Sequence, residues 1–108
     1  MFFASLLFFA MACGLASVGD SYASMLCVAA LAGLGNCAFH PVDFTILNQR
    51  VSSERIGYAF SVHGLTGSLG WAAAPVFLGL LSVWAGWRVA YVGAALLYLS
   101  ILGLLWVN

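Results

Sequence analysis

The segment from residue 35 to residue 64 reads GNCAFHPVDFTILNQRVSSERIGYAFSVHG, and its polar centre decides how the chain folds. That centre, Asn48–Arg55, holds three of the six Asp, Glu, Lys and Arg side chains of the protein and separates two long apolar runs. Apolar runs on both sides of a short polar turn predict two antiparallel membrane-spanning helices that are joined at one membrane surface.

The composition of the whole chain supports the same interpretation. Of 108 residues, 65% are hydrophobic and 6% are charged, with no Lys and a net charge of zero. This excludes a soluble domain and a disordered chain, and it disfavours nucleic acid as a partner. We expect an all-α integral membrane protein in contact with the lipid bilayer, with four antiparallel transmembrane helices over about residues 2–18, 22–48, 57–83 and 89–107.

Arginine placement predicts the orientation of these helices. Arg50 and Arg55 lie in the middle connection, whereas Arg88 alone lies in the last connection, predicted over Trp84–Arg88. The positive-inside rule therefore places the middle connection and both termini in the cytoplasm. Trp84, Trp87 and Tyr91 are typical of an aromatic belt at the opposite surface.

Ionisable side chains occur at membrane depth only in the two middle helices, as His40, Asp43 and His63. Such groups usually face a cavity or a partner, so we expect the middle helices to line a cavity and the outer helices to face lipid. Asn36, His40 and Asp43 share one helical face, and His40 and His63 lie at matched depth on either side of a turn centred near residues 51–52.

These residues are candidates for proton coupling or for lining a substrate cavity. His40 and Asp43 are three residues apart, so we expect them to be neighbours. Because a nearby carboxylate favours the imidazolium and membrane burial opposes it, the pair is expected to titrate near neutral pH. The alternative is a polar pair that only stabilises a contact between helices.

Prolines and small residues mark further features of the middle helices. Pro41 predicts a kink near Cys37–Pro41, which serves either packing or a hinge, and Pro75 predicts a second kink. The third helix carries small residues on two faces, which predicts close packing on two sides. One face holds Gly57, Ser61, Gly64 and Ser68, and the other holds Gly67, Gly70 and Ala74 together with His63.

Nothing in the sequence indicates a cofactor, a metal site or enzymatic chemistry. Cys13, Cys27 and Cys37 all fall inside spans without metal-type spacing, so we interpret them as small buried hydrophobic residues.

Several short motifs occur in an order that resembles the major facilitator superfamily, especially its fosmidomycin-resistance-like branch. They are Gly33-Leu34-Gly35, Phe39-His40-Pro41, Glu54-Arg55-Ile56-Gly57-Tyr58-Ala59, Ser61-Val62-His63-Gly64, Ala74-Pro75 and Gly86-Trp87-Arg88. The resemblance covers nearly the whole chain and is best to the third to sixth helices of the twelve-helix fold.

The resemblance implies that residues 1–108 form part of the N-terminal six-helix half of a transporter. Residues 70–79 look like the antiporter motif of the fifth helix, with Gly70, Pro75 and Gly79 retained and with Ala74 and Leu78 replacing glycines. By the same resemblance the second and third spans contribute to the central cavity. The implied partners are a small-molecule substrate, protons and the remaining helices, in a bacterial inner membrane.

Two other classes of protein remain open. One is a complete small four-helix multidrug-type transporter, which fits the length. Transporters of that family resemble antiparallel dimers with an essential Glu in the first helix, whereas the first helix here has no acidic residue. The other class is a non-transporting membrane scaffold, in which the polar residues would serve packing alone.

Overall fold

A computed structural model describes all residues from Met1 to Asn108. Its five helices are α1 (Phe2–Val18), α2 (Tyr22–Cys37), α3 (Phe39–Arg50), α4 (Ile56–Ala85) and α5 (Trp87–Val107). Together α2 and α3 form one span of 29 residues, and this span, α4 and α5 are long and apolar enough to cross a membrane. The shorter α1 is apolar throughout its 17 residues. The predicted all-α fold of four antiparallel helices is confirmed.

The second span is interrupted where Pro41 predicts a kink. Ala38 separates α2 from α3, and Val42 N–H donates to the Ala38 carbonyl at 3.3 Å. Pro41 cannot donate a backbone hydrogen bond, which weakens the helix just before it. The Thr45 hydroxyl donates to the Pro41 carbonyl at 2.7 Å. The prediction of a kink at this point is confirmed, with the break centred on Ala38.

The second predicted kink does not interrupt its helix. Pro75 lies inside α4, which continues from Ile56 to Ala85. A single proline removes only one backbone hydrogen bond, and the bonds on either side hold a long helix together. The structure shows no break at Pro75, and a bend of α4 at this residue stays a prediction.

Two short connections lie at the same end of the bundle. Between α1 and α2, Ser21 and Ser24 form a capping box, in which each side-chain oxygen accepts from the backbone N–H of the other residue. Between α4 and α5 only Gly86 is non-helical, with φ of 92°. The predicted five-residue connection Trp84–Arg88 is thus too long, because a glycine in this conformation reverses the chain within one residue.

The four spans form a ring in which α1 contacts α2 and α5, α4 contacts α5, and α3 closes the ring against α4. Most buried side chains belong to α1, where Ser5, Leu6, Ala10, Ala12, Ala16 and Ser17 are covered. Gly35 in α2 lies so close to α1 that an added Cβ would be 3.0 Å from the Ser5 carbonyl oxygen. Small residues permit this close approach of two helices.

This packing corrects the expectation that both outer helices face lipid. In the ring α1 is the most covered helix, whereas α4, a middle helix, has no buried residue. The expected burial of the cysteines is also wrong, because Cys27 and Cys37 are exposed and Cys13 is half-buried. Faces that contact lipid and faces that contact another helix are equally apolar, so hydrophobicity alone does not separate them.

Candidate polar site between α3 and α4

The ionisable residues at membrane depth come together where α3 meets α4. Asp43 Oδ2 lies 3.6 Å from His63 Nε2, with 21% of the Asp43 side chain and 37% of the His63 side chain exposed. This is an ion-pairing distance when the imidazole is protonated. The pair joins two helices and lies about 10 Å along the axis from the α3–α4 connection, well inside the apolar part of the bundle.

The structure changes the predicted partner of Asp43 from His40 to His63. His40 is exposed, and its ring lies 5.9 Å from the ring of Phe44. The structure contains no ion pair or hydrogen bond between His40 and Asp43. Spacing along one helix shows which residues share a face, but the neighbouring helix offers Asp43 the nearer imidazole.

The length of α3 explains why His63, rather than His40, lies opposite Asp43. The sequence indicated a turn centred near residues 51–52, which matches His40 with His63 in depth. In the structure α3 continues to Arg50 and α4 begins at Ile56, so the hairpin is centred on residue 53. Asp43 and His63 are each ten residues from that centre, and the antiparallel helices place them opposite one another.

Two aromatic residues that the sequence analysis did not single out complete the site. The rings of Phe44 and Phe60 pack edge to face with centroids 5.3 Å apart, and the Phe44 ring lies 6.3 Å from the His63 ring. We call His40, Asp43, Phe44, Phe60 and His63 the α3–α4 polar cleft. Phe44 follows Asp43 directly and Phe60 precedes His63 by three residues, which was the available signal.

The remaining predicted site residues lie outside this cleft or on open surface. Asn36 is exposed on α2, on the other side of the break, and its side chain forms no hydrogen bond. All six predicted site residues of α4 outside the cleft are exposed: Gly64, Gly67, Gly70, Ala74, Pro75 and Gly79. A Cβ added at any of the four glycines would meet no other helix within 4 Å. Within this chain, the small residues therefore do not make the expected close helix contacts.

A second polar contact lies at the opposite end of the bundle. The Arg88 guanidinium donates to the carboxylate of Asp20, so the two connections at that end are joined. Arg88 also lies 4.8 Å from the Trp87 ring centroid, and the Trp87 and Tyr91 rings pack edge to face. Aromatic and cationic residues at a helix end are typical of a membrane surface.

The fold and the cleft define an integral membrane protein whose few ionisable side chains face each other between two spans. The family model described as Major Facilitator Superfamily matches residues 1–108. The chain therefore belongs to the Major Facilitator Superfamily, whose members are membrane transporters rather than enzymes. Comparisons with curated proteins and with solved structures gave no significant match. The fosmidomycin-resistance-like branch and the assignment to helices three to six remain predictions.

Proposed function

We propose that the chain is part of a secondary active transporter that moves a small solute or drug across the membrane by alternating access, coupled to protons. The observation that carries this proposal is the approach of Asp43 to His63 between two spans. A carboxylate that faces an imidazole provides two groups that can each accept and release a proton. Ionisable groups at this depth are costly, and in membrane proteins they usually mark ion or substrate pathways.

The break in the second span supports a movement of α3 relative to α2. Gly35 holds α2 close against α1, while α3 contacts α4 through the Phe44–Phe60 ring pair. Both parts of the span contact α1, α3 through Phe39, but only α3 also contacts α4. Interrupted helices near a polar site are a recurrent feature of transporters that alternate between two states.

The open glycine face of α4 supports the presence of further helices. Glycines at three- and four-residue spacing allow another helix to approach closely, but they give no such advantage against lipid. A Cβ added at Gly64, Gly67 or Gly70 would meet no other helix of this chain within 4 Å. We therefore propose that residues 1–108 act as part of an N-terminal six-helix half, and that this face binds the remaining helices of the transporter.

The proposed orientation places both termini and the Arg50–Arg55 connection in the cytoplasm, in a bacterial inner membrane. It rests on two arginines in that connection against one at the other end. Single cysteines at Ser52 and Ala85, in a chain without its three native cysteines, test the orientation. A membrane-impermeant thiol reagent applied outside intact cells is expected to label position 85 only. Labelling of position 52 would contradict it.

Proton-driven transport tests the function itself. The complete transporter that contains this chain is reconstituted into vesicles with an imposed pH gradient, and uptake or efflux is measured across pH. Asp43→Asn and His63→Ala are expected to abolish the response to the gradient, and His40→Ala to weaken it. Glu54→Gln, which alters an exposed acid in the connection, is the control and should behave as wild type. Normal pH dependence in all three variants at normal protein levels would refute proton coupling at this site.

A further inference from the structure

No hydrogen-bond donor or permanent cation of the chain contacts the Asp43 carboxylate. It accepts no hydrogen bond from the chain, and its nearest partner, His63 Nε2, lies 3.6 Å away. That distance is longer than a hydrogen bond, and a neutral imidazole provides no compensating charge. A carboxylate in the apolar part of a membrane is costly unless a cation or donor faces it. The cleft is therefore a favourable place for a positively charged group from outside the chain.

No permanent cation of these 108 residues lies beside Asp43. The chain contains no Lys, and Arg50 and Arg55 lie at the ends of the α3–α4 connection. Arg88 is paired with Asp20 at the other end of the bundle. With neutral histidines the cleft carries one negative charge, which attracts cations and repels phosphates and carboxylates.

The aromatic rings beside Asp43 restrict the kind of cation. Phe44 is 44% exposed and packs against Phe60, and the His40 and His63 rings lie within 6.3 Å of Phe44. Aromatic faces attract organic cations and also pack against apolar groups. A hard metal ion instead needs several oxygen ligands, and the cleft offers a single carboxylate.

From these contacts we infer that the α3–α4 polar cleft is a binding subsite for a monovalent organic cation with an apolar body. Asp43 would face the charge, and Phe44 and Phe60 would contact the apolar groups around it. This inference rests on the proposed transport function, because it assigns the chemical class of a substrate to the same site.

Equilibrium binding of two matched probes tests the subsite. Tetraphenylphosphonium and tetraphenylborate have similar size and shape and opposite charge. The full chain is placed in phosphatidylcholine nanodiscs, and binding is measured after subtraction of binding to empty nanodiscs. We expect saturable binding of the phosphonium only. Asp43→Asn should weaken it at least about tenfold, because it removes the only negative charge of the cleft.

Two substitutions of His63 separate loss of the subsite from loss of the fold. His63→Lys places a permanent cation beside Asp43 and should also weaken phosphonium binding at least about tenfold. His63→Gln adds no charge at the same position, so its phosphonium binding should exceed that of His63→Lys. Glu54→Gln is the control for removal of an acid outside the membrane. Equal phosphonium binding by wild type, Asp43→Asn and His63→Lys, or saturable borate binding, would overturn the inference.

This assay needs no transport, so its outcome is distinct from that of the proposed function. Asp43-dependent phosphonium binding without proton-driven movement would support the subsite and refute the coupling. Proton-driven movement of a solute by a chain that binds no phosphonium would refute the subsite alone.

Discussion

The two sides of the bundle differ in how their helices meet. On the α1 side, small residues such as Ala12 and Ala16 are buried, and Gly35 approaches the backbone of α1. On the α4 side no residue is buried, and the contact between α3 and α4 consists of the approach of Asp43 to His63 and of aromatic rings. The α1 side is stabilised by close packing, and the α4 side contains the polar groups whose burial in a membrane is unfavourable.

The difference indicates that one side stabilises the bundle and the other side carries the functional site. Close packing of small residues is the main source of stability between helices in lipid, where the hydrophobic effect does not drive their association. Ionisable groups at membrane depth lower stability, and they usually occur where a function requires them. We therefore interpret α1, α2 and α5 as a scaffold that supports the α3–α4 polar cleft, and the following substitutions test this assignment.

The largest loss of stability is expected from Gly35→Leu. Even a Cβ at this position would lie 3.0 Å from the Ser5 carbonyl oxygen and 3.1 Å from the Phe9 ring. The larger side chain must separate α1 from α2, which we expect to lower the free energy of unfolding by about 3 kcal/mol. Gly33→Leu is the matched control, because a Cβ at Gly33 has open space. Unfolding by SDS in mixed micelles measures both, and equal losses would refute the tight α1–α2 contact.

A smaller loss is expected from Phe9→Ala. The Phe9 ring stacks on Tyr98 at 5.3 Å and packs against Phe39 at 5.7 Å, so it links α1 to both α5 and α3. Loss of two aromatic pairs should cost about 2 kcal/mol in the same unfolding assay. Phe3→Ala, which removes a single ring pair with Trp106, should cost less. A larger loss for Phe3 than for Phe9 would show that the scaffold is centred elsewhere.

The Asp20–Arg88 contact is expected to contribute little. Both side chains are exposed, Asp20 by 72% and Arg88 by 51%. Ion pairs in such surroundings are screened by water and salt, so Asp20→Asn should lower the free energy of unfolding by less than about 1 kcal/mol. The remaining loss should shrink further when the ionic strength is raised. A loss comparable with that of Gly35→Leu would place part of the scaffold at this end.

The smallest effect on the chain itself is expected from Gly64→Leu and Gly67→Leu. A Cβ added at either glycine would meet no other helix within 4 Å, so both variants should unfold like wild type in micelles. In the complete transporter the same substitutions should impair assembly, because they fill the face that we assign to further helices. Gly103→Leu, at an open glycine of α5, is the control. Normal assembly and transport for both α4 variants would show that this face contacts lipid.

The sequence was sufficient to predict the spans and the interruption before Pro41. Long apolar runs and polar breaks depend on composition alone, and the second, third and fourth spans extend only two residues beyond predicted ends, to Arg50, Ala85 and Trp87. The high burial of α1 could not be predicted in the same way. Its buried alanines resemble those of any apolar helix, and lipid removes the contrast between a buried face and an exposed one.

The ionisable members of the site were predicted, but their pairing and the two aromatic members were not. His40, Asp43 and His63 stand out because they are the only ionisable side chains of the middle spans apart from those at the helix ends. Which histidine faces Asp43 depends on where α3 ends and on how it lies against α4. A shift of the hairpin centre by one or two residues exchanges one partner for the other, and a helical wheel contains no information on this contact.

Exchange of the two paired residues tests the central claim most directly. In the complete transporter, the double variant Asp43→His with His63→Asp keeps one carboxylate opposite one imidazole across α3 and α4. The pH dependence of transport is compared among wild type, Asp43→His, His63→Asp and the double variant. If the pair couples protons to transport, each single variant loses the pH response and the double variant recovers a substantial part of it. A double variant no more responsive than either single variant, at normal protein levels, would contradict the account.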